Sequence, residues 1–78
     1  MSAESLISQI RTYNPDANFD LLRRSYEYSE ECHHGQQRKS GDAYFIHCFE
    51  TAQTLTDLKL DIYTICAGLL HDVVEDTS

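Results

Sequence analysis

An all-α fold is predicted by three observations. Apolar residues recur at three- and four-residue spacings in four separate stretches of this 78-residue chain. No segment alternates with period two for long, as a half-buried strand would. The chain holds one proline and three glycines, so little interrupts its helices. Together they describe about four helices in a single small domain.

The elements follow in order. Leu6, Ile7 and Ile10 mark a short first helix that ends before Asn14-Pro15, where Asn14 is positioned to cap and Pro15 to open the next element. The second helix is expected from about Asp16 to His34. Phe19, Leu22 and Tyr26 lie along one edge, Leu21, Tyr28 and Cys32 lie beside it, and Gly35 ends the helix. Arg23 and Arg24, in its middle, are expected to pair within the helix with Glu27 and nearby acids, and His33 and His34 to favour its dipole. Gln36 to Ala43 reads as a polar, basic loop that turns at Gly41.

The third helix spans about Phe45 to Leu58, because Ile46, Phe49, Ala52, Leu55 and Leu58 recur every three residues. Lys59-Leu60 is a short connection, and Asp61 is placed to cap the fourth helix. That helix carries Ile62, Ile65, Cys66, Leu69 and Val73 on one stripe.

A formal charge of −7 argues against nonspecific binding to DNA, whose affinity comes from cationic contacts to phosphates. No stretch approaches membrane-spanning length, and the Met1-Ser2-Ala3-Glu4 start lacks the basic and apolar regions of a signal peptide. A soluble, cytoplasmic protein is therefore expected. Cys32, Cys48 and Cys66 are odd in number and form no C-x-x-C pair, which suits reduced core thiols better than a disulfide framework. Zinc held by Cys32, His33 and His34 is disfavoured, because adjacent helical residues diverge too far to chelate one ion.

The chemistry concentrates at the end of the fourth helix. At about 100° per residue, His71, Asp72, Glu75 and Asp76 share an arc of roughly 140°. Carboxylates at a helix C-terminus oppose the dipole and repel one another, a cost that a bound cation or ligand would offset. His71 and Asp72 can supply two metal ligands, and His47 a third if the third and fourth helices pack antiparallel. The plainer alternative is a solvated acidic helix end and a histidine bonded within its own first turn. Arg38-Lys39 is the one adjacent Arg-Lys pair in the chain. Arg38 can stack on a base or clamp a phosphate, Lys39 adds charge, and Ser40-Gly41 permits close approach. Its plainer alternative is a solvated loop that offsets negative charge.

In order along the chain, His34-Gly35-Gln36-Gln37-Arg38-Lys39-Ser40-Gly41, Tyr44-Phe45-Ile46-His47 and Ala67-Gly68-Leu69-Leu70-His71-Asp72-Val73-Val74-Glu75-Asp76-Thr77 resemble the N-terminal hydrolase domain of the RelA/SpoT family. The resemblance covers about residues 14–78. It implies an HD-type helical bundle and a manganese-dependent hydrolase that removes the 3′-pyrophosphate of (p)ppGpp in the stringent response. GDP or GTP and pyrophosphate would be the products. By the same resemblance His47, His71 and Asp72 are metal ligands, and Glu75 and Asp76 position or activate water. Arg38 would pack on the guanine base, with Lys39 and Ser40 in the same nucleotide loop.

Ala43 and Cys48 stand where the family usually has proline. A further aspartate ligand of the family lies downstream, as do the rest of the HD core and, in long members, synthetase and regulatory domains. The expectation is thus an N-terminal portion of an HD domain over residues 1–78, from a parent expected to be bifunctional. On its own it is expected to bind metal weakly, to hydrolyse little, and to self-associate through uncovered apolar faces. Two other readings stay open: an HD phosphohydrolase of another nucleotide, and a non-catalytic helical module that senses a nucleotide or binds a partner.

Overall fold

The computed structural model describes residues 2–76, with side chains described through residue 73. The described residues form four helices, α1 (Ala3–Arg11), α2 (Phe19–Cys32), α3 (Tyr44–Asp57) and α4 (Ile62–Asp76). The all-α expectation is borne out, and no strand occurs among the described residues. A single antiparallel bridge, Gln37 to Ala43, closes the loop between α2 and α3.

Ser2 begins α1, its hydroxyl accepting from the Ser5 amide at 3.2 Å and satisfying one of the helix's free donors. Leu6, Ile7 and Ile10 are all buried, so the whole apolar face of α1 is used as expected. Each such burial contributes about 1.5–3 kcal/mol.

The start of α2 differs from the sequence expectation. Its cap is Asn18, whose side chain accepts from the Leu21 amide at 3.1 Å. Residues 14–17 instead form turns that finish α1: the Asn14 amide bonds the Ile10 carbonyl at 2.8 Å, and the Ala17 amide bonds that of Asn14 at 3.3 Å. Leu22, Ser25, Tyr26 and Ser29 are buried, whereas Tyr28 faces outward. The two small serines on this stripe let α2 pack tightly, and α2 makes its broadest contact with α4. Arg23 does not pair with Glu27. It forks onto Glu4 of α1 through Nε and Nη2, at 2.8 and 3.2 Å, tying the two helices together. Arg24 does pair within the helix, with Asp20 at 3.7 Å.

The buried arc of α3 is Phe45, Cys48, Ala52 and Thr56. It shares its centre, Ala52, with the expected stripe, whose three-residue steps each fall about 60° short of a full turn, so that Ala52 is buried, Phe49 and Leu55 are half-buried, and Ile46 and Leu58, at the two ends, are exposed. Spacing by threes winds around the helix, so it marks the centre of the buried face and not its edges. Tyr26 packs on this face, its ring meeting Phe45 edge-on at 4.9 Å and Phe49 at 6.3 Å. The α4 stripe of Ile62, Ile65, Cys66, Leu69 and Val73 is buried as expected.

Asp61 caps α4 through the Thr64 amide (3.1 Å) and hydroxyl (2.6 Å). The connection before it turns at Lys59, which has φ 58°, and the Tyr13 hydroxyl donates to the Leu60 carbonyl at 2.8 Å. This pins the corner to the end of α1. Gly68 is buried where α3 approaches, since a Cβ there would lie 2.7 Å from Leu55 Cδ1. The three cysteines are free thiols, Cys48 and Cys66 in the core. No described helix is long and apolar enough to cross a membrane.

Candidate metal centre and nucleotide loop

The short corner at Lys59-Leu60 runs α4 back along α3, which brings the first turn of α3 beside the last turns of α4. His47 Nε2 lies 3.8 Å from Asp72 Oδ2, and His71 Nε2 lies 3.1 Å from the same oxygen. The three donor atoms fall within 4.8 Å of one another, the one such cluster among the described residues. Cys32, His33 and His34 form no such group.

The electrostatics of the cluster are unusual. His71 Nδ1 is 2.6 Å from the Gly68 carbonyl, so that nitrogen carries the proton and donates. In the neutral ring Nε2 then holds a lone pair, and it faces a carboxylate oxygen. Asp72 is only 8% exposed, and its Oδ2 is buried with no hydrogen-bond partner. The His71 lone pair and an orphaned carboxylate oxygen converging on one point repel unless a cation lies between them, and His47 Nε2 lies close to the same oxygen. The donor set fits a divalent ion, because two imidazoles and a carboxylate suit zinc, manganese or iron. The Gly68 carbonyl supplies the outer hydrogen bond that fixes the tautomer and aim of a ligating histidine. His47 and His71 stay partly open, at 35% and 43% side-chain exposure, which leaves approach for water or a ligand.

The loop that begins after Gly35 is a closed hairpin-like turn. The Tyr44 amide bonds the Gln36 carbonyl at 2.8 Å, Arg38 that of Asp42 at 2.9 Å, and Gly41 that of Arg38 at 2.9 Å. Gly41 has φ 93°, which a residue bearing Cβ adopts only under strain. The Ser40 hydroxyl donates to Asp42 at 3.1 Å. Gln37, Arg38, Lys39, Ser40, Asp42 and Tyr44 line an open concavity. Arg38 and Lys39 are exposed and form no ion pair among the described residues.

Tyr44 joins the two regions. It lines the loop concavity, and its ring meets His47 at 5.8 Å, which in turn meets His71 at 6.2 Å. The structure thus brings together His47, His71 and Asp72, and sets Arg38, Lys39 and Ser40 in the adjoining loop. The side chains of Glu75 and Asp76 lie outside the described residues. Sequence reasoning missed His33, which is 2% exposed, stacks on Tyr44 at 4.8 Å and places Nδ1 2.8 Å from Gln36 Oε1. The signal was weak. An adjacent His34 looks identical in sequence, and only the helix phase separates them.

The model of the HD-domain family matches residues 25–78, a span that includes the loop and all three candidate ligands. The chain belongs to the HD-domain family. The chain is 45% identical over all 78 residues to a GTP pyrophosphokinase rsh of Brucella melitensis. It is 47% identical over 68 residues, 87% of the chain, to a GTP pyrophosphokinase of Myxococcus xanthus. Over 74 residues, 95% of the chain, it is 45% identical to the bifunctional (p)ppGpp synthase/hydrolase SpoT of Escherichia coli. These relatives bear out the RelA/SpoT resemblance. The chain spans 10% of the Brucella and E. coli proteins and 9% of the Myxococcus protein.

Proposed function

We propose that this HD segment belongs to a manganese-dependent 3′-pyrophosphohydrolase of (p)ppGpp, within a parent that is also a (p)ppGpp synthetase. The observation that carries the reading is the buried, unpartnered Asp72 Oδ2 facing the Nε2 atoms of His47 and His71, with a basic loop one tyrosine away. The names of the relatives supply the substrate class, since one is called a guanosine-3′,5′-bis(diphosphate) 3′-pyrophosphohydrolase.

In this reading His47, His71 and Asp72 hold the ion. The choice of manganese comes from the RelA/SpoT resemblance, since two imidazoles and a carboxylate suit zinc as well. A bound divalent ion would lower the pKa of water and neutralise phosphoryl charge. Glu75 or Asp76 takes the proton from the attacking water, a task for a carboxylate within hydrogen-bond reach. The water oxygen bonds to the 3′ phosphorus, the P–O bond to the ribose breaks, and a proton ends on the 3′ oxygen. GDP or GTP and pyrophosphate leave. Arg38 stacks on guanine, while Lys39 and Ser40 meet phosphate or ribose. The setting is cytoplasmic, without DNA or membrane as partner. The 78 residues alone form the first part of the HD domain, turn over little, and self-associate through exposed groups such as Tyr28, Leu58 and Tyr63.

Titration of the chain with Mn²⁺, followed by the spectrum of the free ion, should show one site, and D72N should abolish it. In the parent protein R38A should raise KM for ppGpp about tenfold or more, a loss of about 1.4 kcal/mol, and reduce the preference for guanine over adenine analogues. Undiminished Mn²⁺ binding by D72N would overturn the metal assignment, and an unchanged KM and base preference would overturn the role of Arg38.

A further inference from the structure

His33 is the C-cap of α2, yet its burial has no ordinary explanation. A core filler would be apolar, and this ring carries a second nitrogen, Nε2, that is buried without a partner. That orphan costs about 1–3 kcal/mol, which leucine or phenylalanine would avoid. What the imidazole offers in return is its other nitrogen and its face. Nδ1 donates to Gln36 Oε1 at 2.8 Å, and the face lies nearly parallel to Tyr44, at 26° and 4.8 Å.

Gln36 and Tyr44 are the two ends of the basic loop, joined by their own backbone bond of 2.8 Å. A single buried ring therefore grips both sides of the loop's neck. Past that neck, the loop is held by the Gln37–Ala43 bridge and the turn bonds of Arg38 and Gly41. The Tyr44 ring held by His33 is also the one that meets the edge of His47.

We propose that His33 is a positioning residue with two separable jobs. Its Nδ1–H sets the neck of the Arg38-Lys39-Ser40 loop, and its face sets Tyr44 and, through it, the orientation of His47. The first job governs the grip of the loop on a guanine nucleotide and the second governs the affinity of the ion. Both consequences rest on the functional reading above, whereas the positioning itself does not.

Two substitutions separate the jobs. H33F keeps a flat ring against Tyr44 and removes the donor, and H33N keeps a donor near the Nδ1 position and removes the ring. In H33F, affinity for ppGpp should fall about fivefold, the weight of one neutral hydrogen bond, with Mn²⁺ affinity unchanged. In H33N the pattern should reverse, with Mn²⁺ affinity reduced and ppGpp affinity, measured at saturating Mn²⁺, near that of the parent sequence. Amide exchange tests the positioning without any ligand. H33F should speed exchange at Arg38, Gly41 and Tyr44 relative to the core amide of Ile65, and H33N should shift the His47 ring resonances.

If the unsubstituted parent protein binds neither Mn²⁺ nor ppGpp, the functional reading fails and the exchange and resonance data alone decide the positioning. Loop exchange that merely follows Ile65 in H33F, together with an unmoved His47 ring in H33N, would overturn it. So would two variants that weaken both affinities in the same proportion, because that is the signature of general destabilisation.

Discussion

Asp72 carries a cost in the fold that the proposed cation would offset. Its Oδ2 is buried, has no hydrogen-bond partner and sits 3.1 Å from a His71 nitrogen that holds a lone pair in the neutral ring. Without a cation, D72N should therefore match or exceed the thermal stability of the parent sequence, since an amide can donate toward His71 Nε2 and carries no buried charge. With Mn²⁺ at a hundred times its dissociation constant, the parent sequence should gain about 2.7 kcal/mol, or roughly 10–20 °C for a domain of this size, while D72N gains nothing. Melting curves with and without the ion check both halves. A metal-free D72N that melts several degrees below the parent sequence would show that the carboxylate is instead a structural acceptor. Much of this site was legible in the sequence, because His71-Asp72 and the antiparallel return of α4 suffice to place His47. The inward turn of His33 was not legible, since it depends on Tyr44 across an eleven-residue separation.

At the scale of elements, the hydrophobic pattern located the buried face of each helix, and set its edges only where apolar residues keep to a single stripe. α4 has one clean stripe, and every member of it is buried. The α3 stripe, spaced by threes, winds off the buried face at Ile46 and Leu58, and it is Phe45, beside Tyr26, that the face takes in instead. The start of α2 was misplaced because Asn14 and Asn18 are equally good caps in sequence, and only the turn bonds that finish α1 choose between them. Arg23 found its acid nineteen residues away for the same reason, since pairing between helices carries no local signal. Two element-level expectations follow. L6A should cost about 2–5 kcal/mol, because Leu6 is fully buried where α1 joins the core. G41A should cost about 1 kcal/mol or slightly more through its φ of 93°. Its effect should fall on nucleotide affinity more than on Mn²⁺ affinity, because the open loop, and not the core, bears the strain. Chemical denaturation of the two variants checks the first magnitudes, and paired ligand titrations check the second.

The whole molecule is an acidic chain of charge −7 whose stability should depend on pH from both sides. Glu4 is held below the usual carboxylate range by the hydrogen bond from Arg23, Asp57 by those from Gln9 and Gln53, and Asp61 by those from Thr64. Groups with depressed folded values contribute stability that is present above their unfolded values, about 4, and that is lost as pH falls through the folded ones. Burial pushes the Cys66 thiol and the Tyr13 and Tyr26 phenols upward. Their contribution is complete below the unfolded values, about 8.5 for a thiol and 10 for a phenol, and is lost as pH rises through the folded ones. Self-repulsion of the acidic surface tilts the plateau, because partial neutralisation toward the isoelectric point of 4.7 relieves it. The expected outcome is a melting temperature that is highest between about pH 5 and 7, falls below about pH 4 and falls again above about pH 8.5. Added salt should raise it at pH 8 more than at pH 5, since only at the higher pH is there much repulsion to screen. C66A should soften the alkaline fall and leave the acid limb unchanged, and an alkaline limb that C66A does not alter would remove the buried thiol from this account.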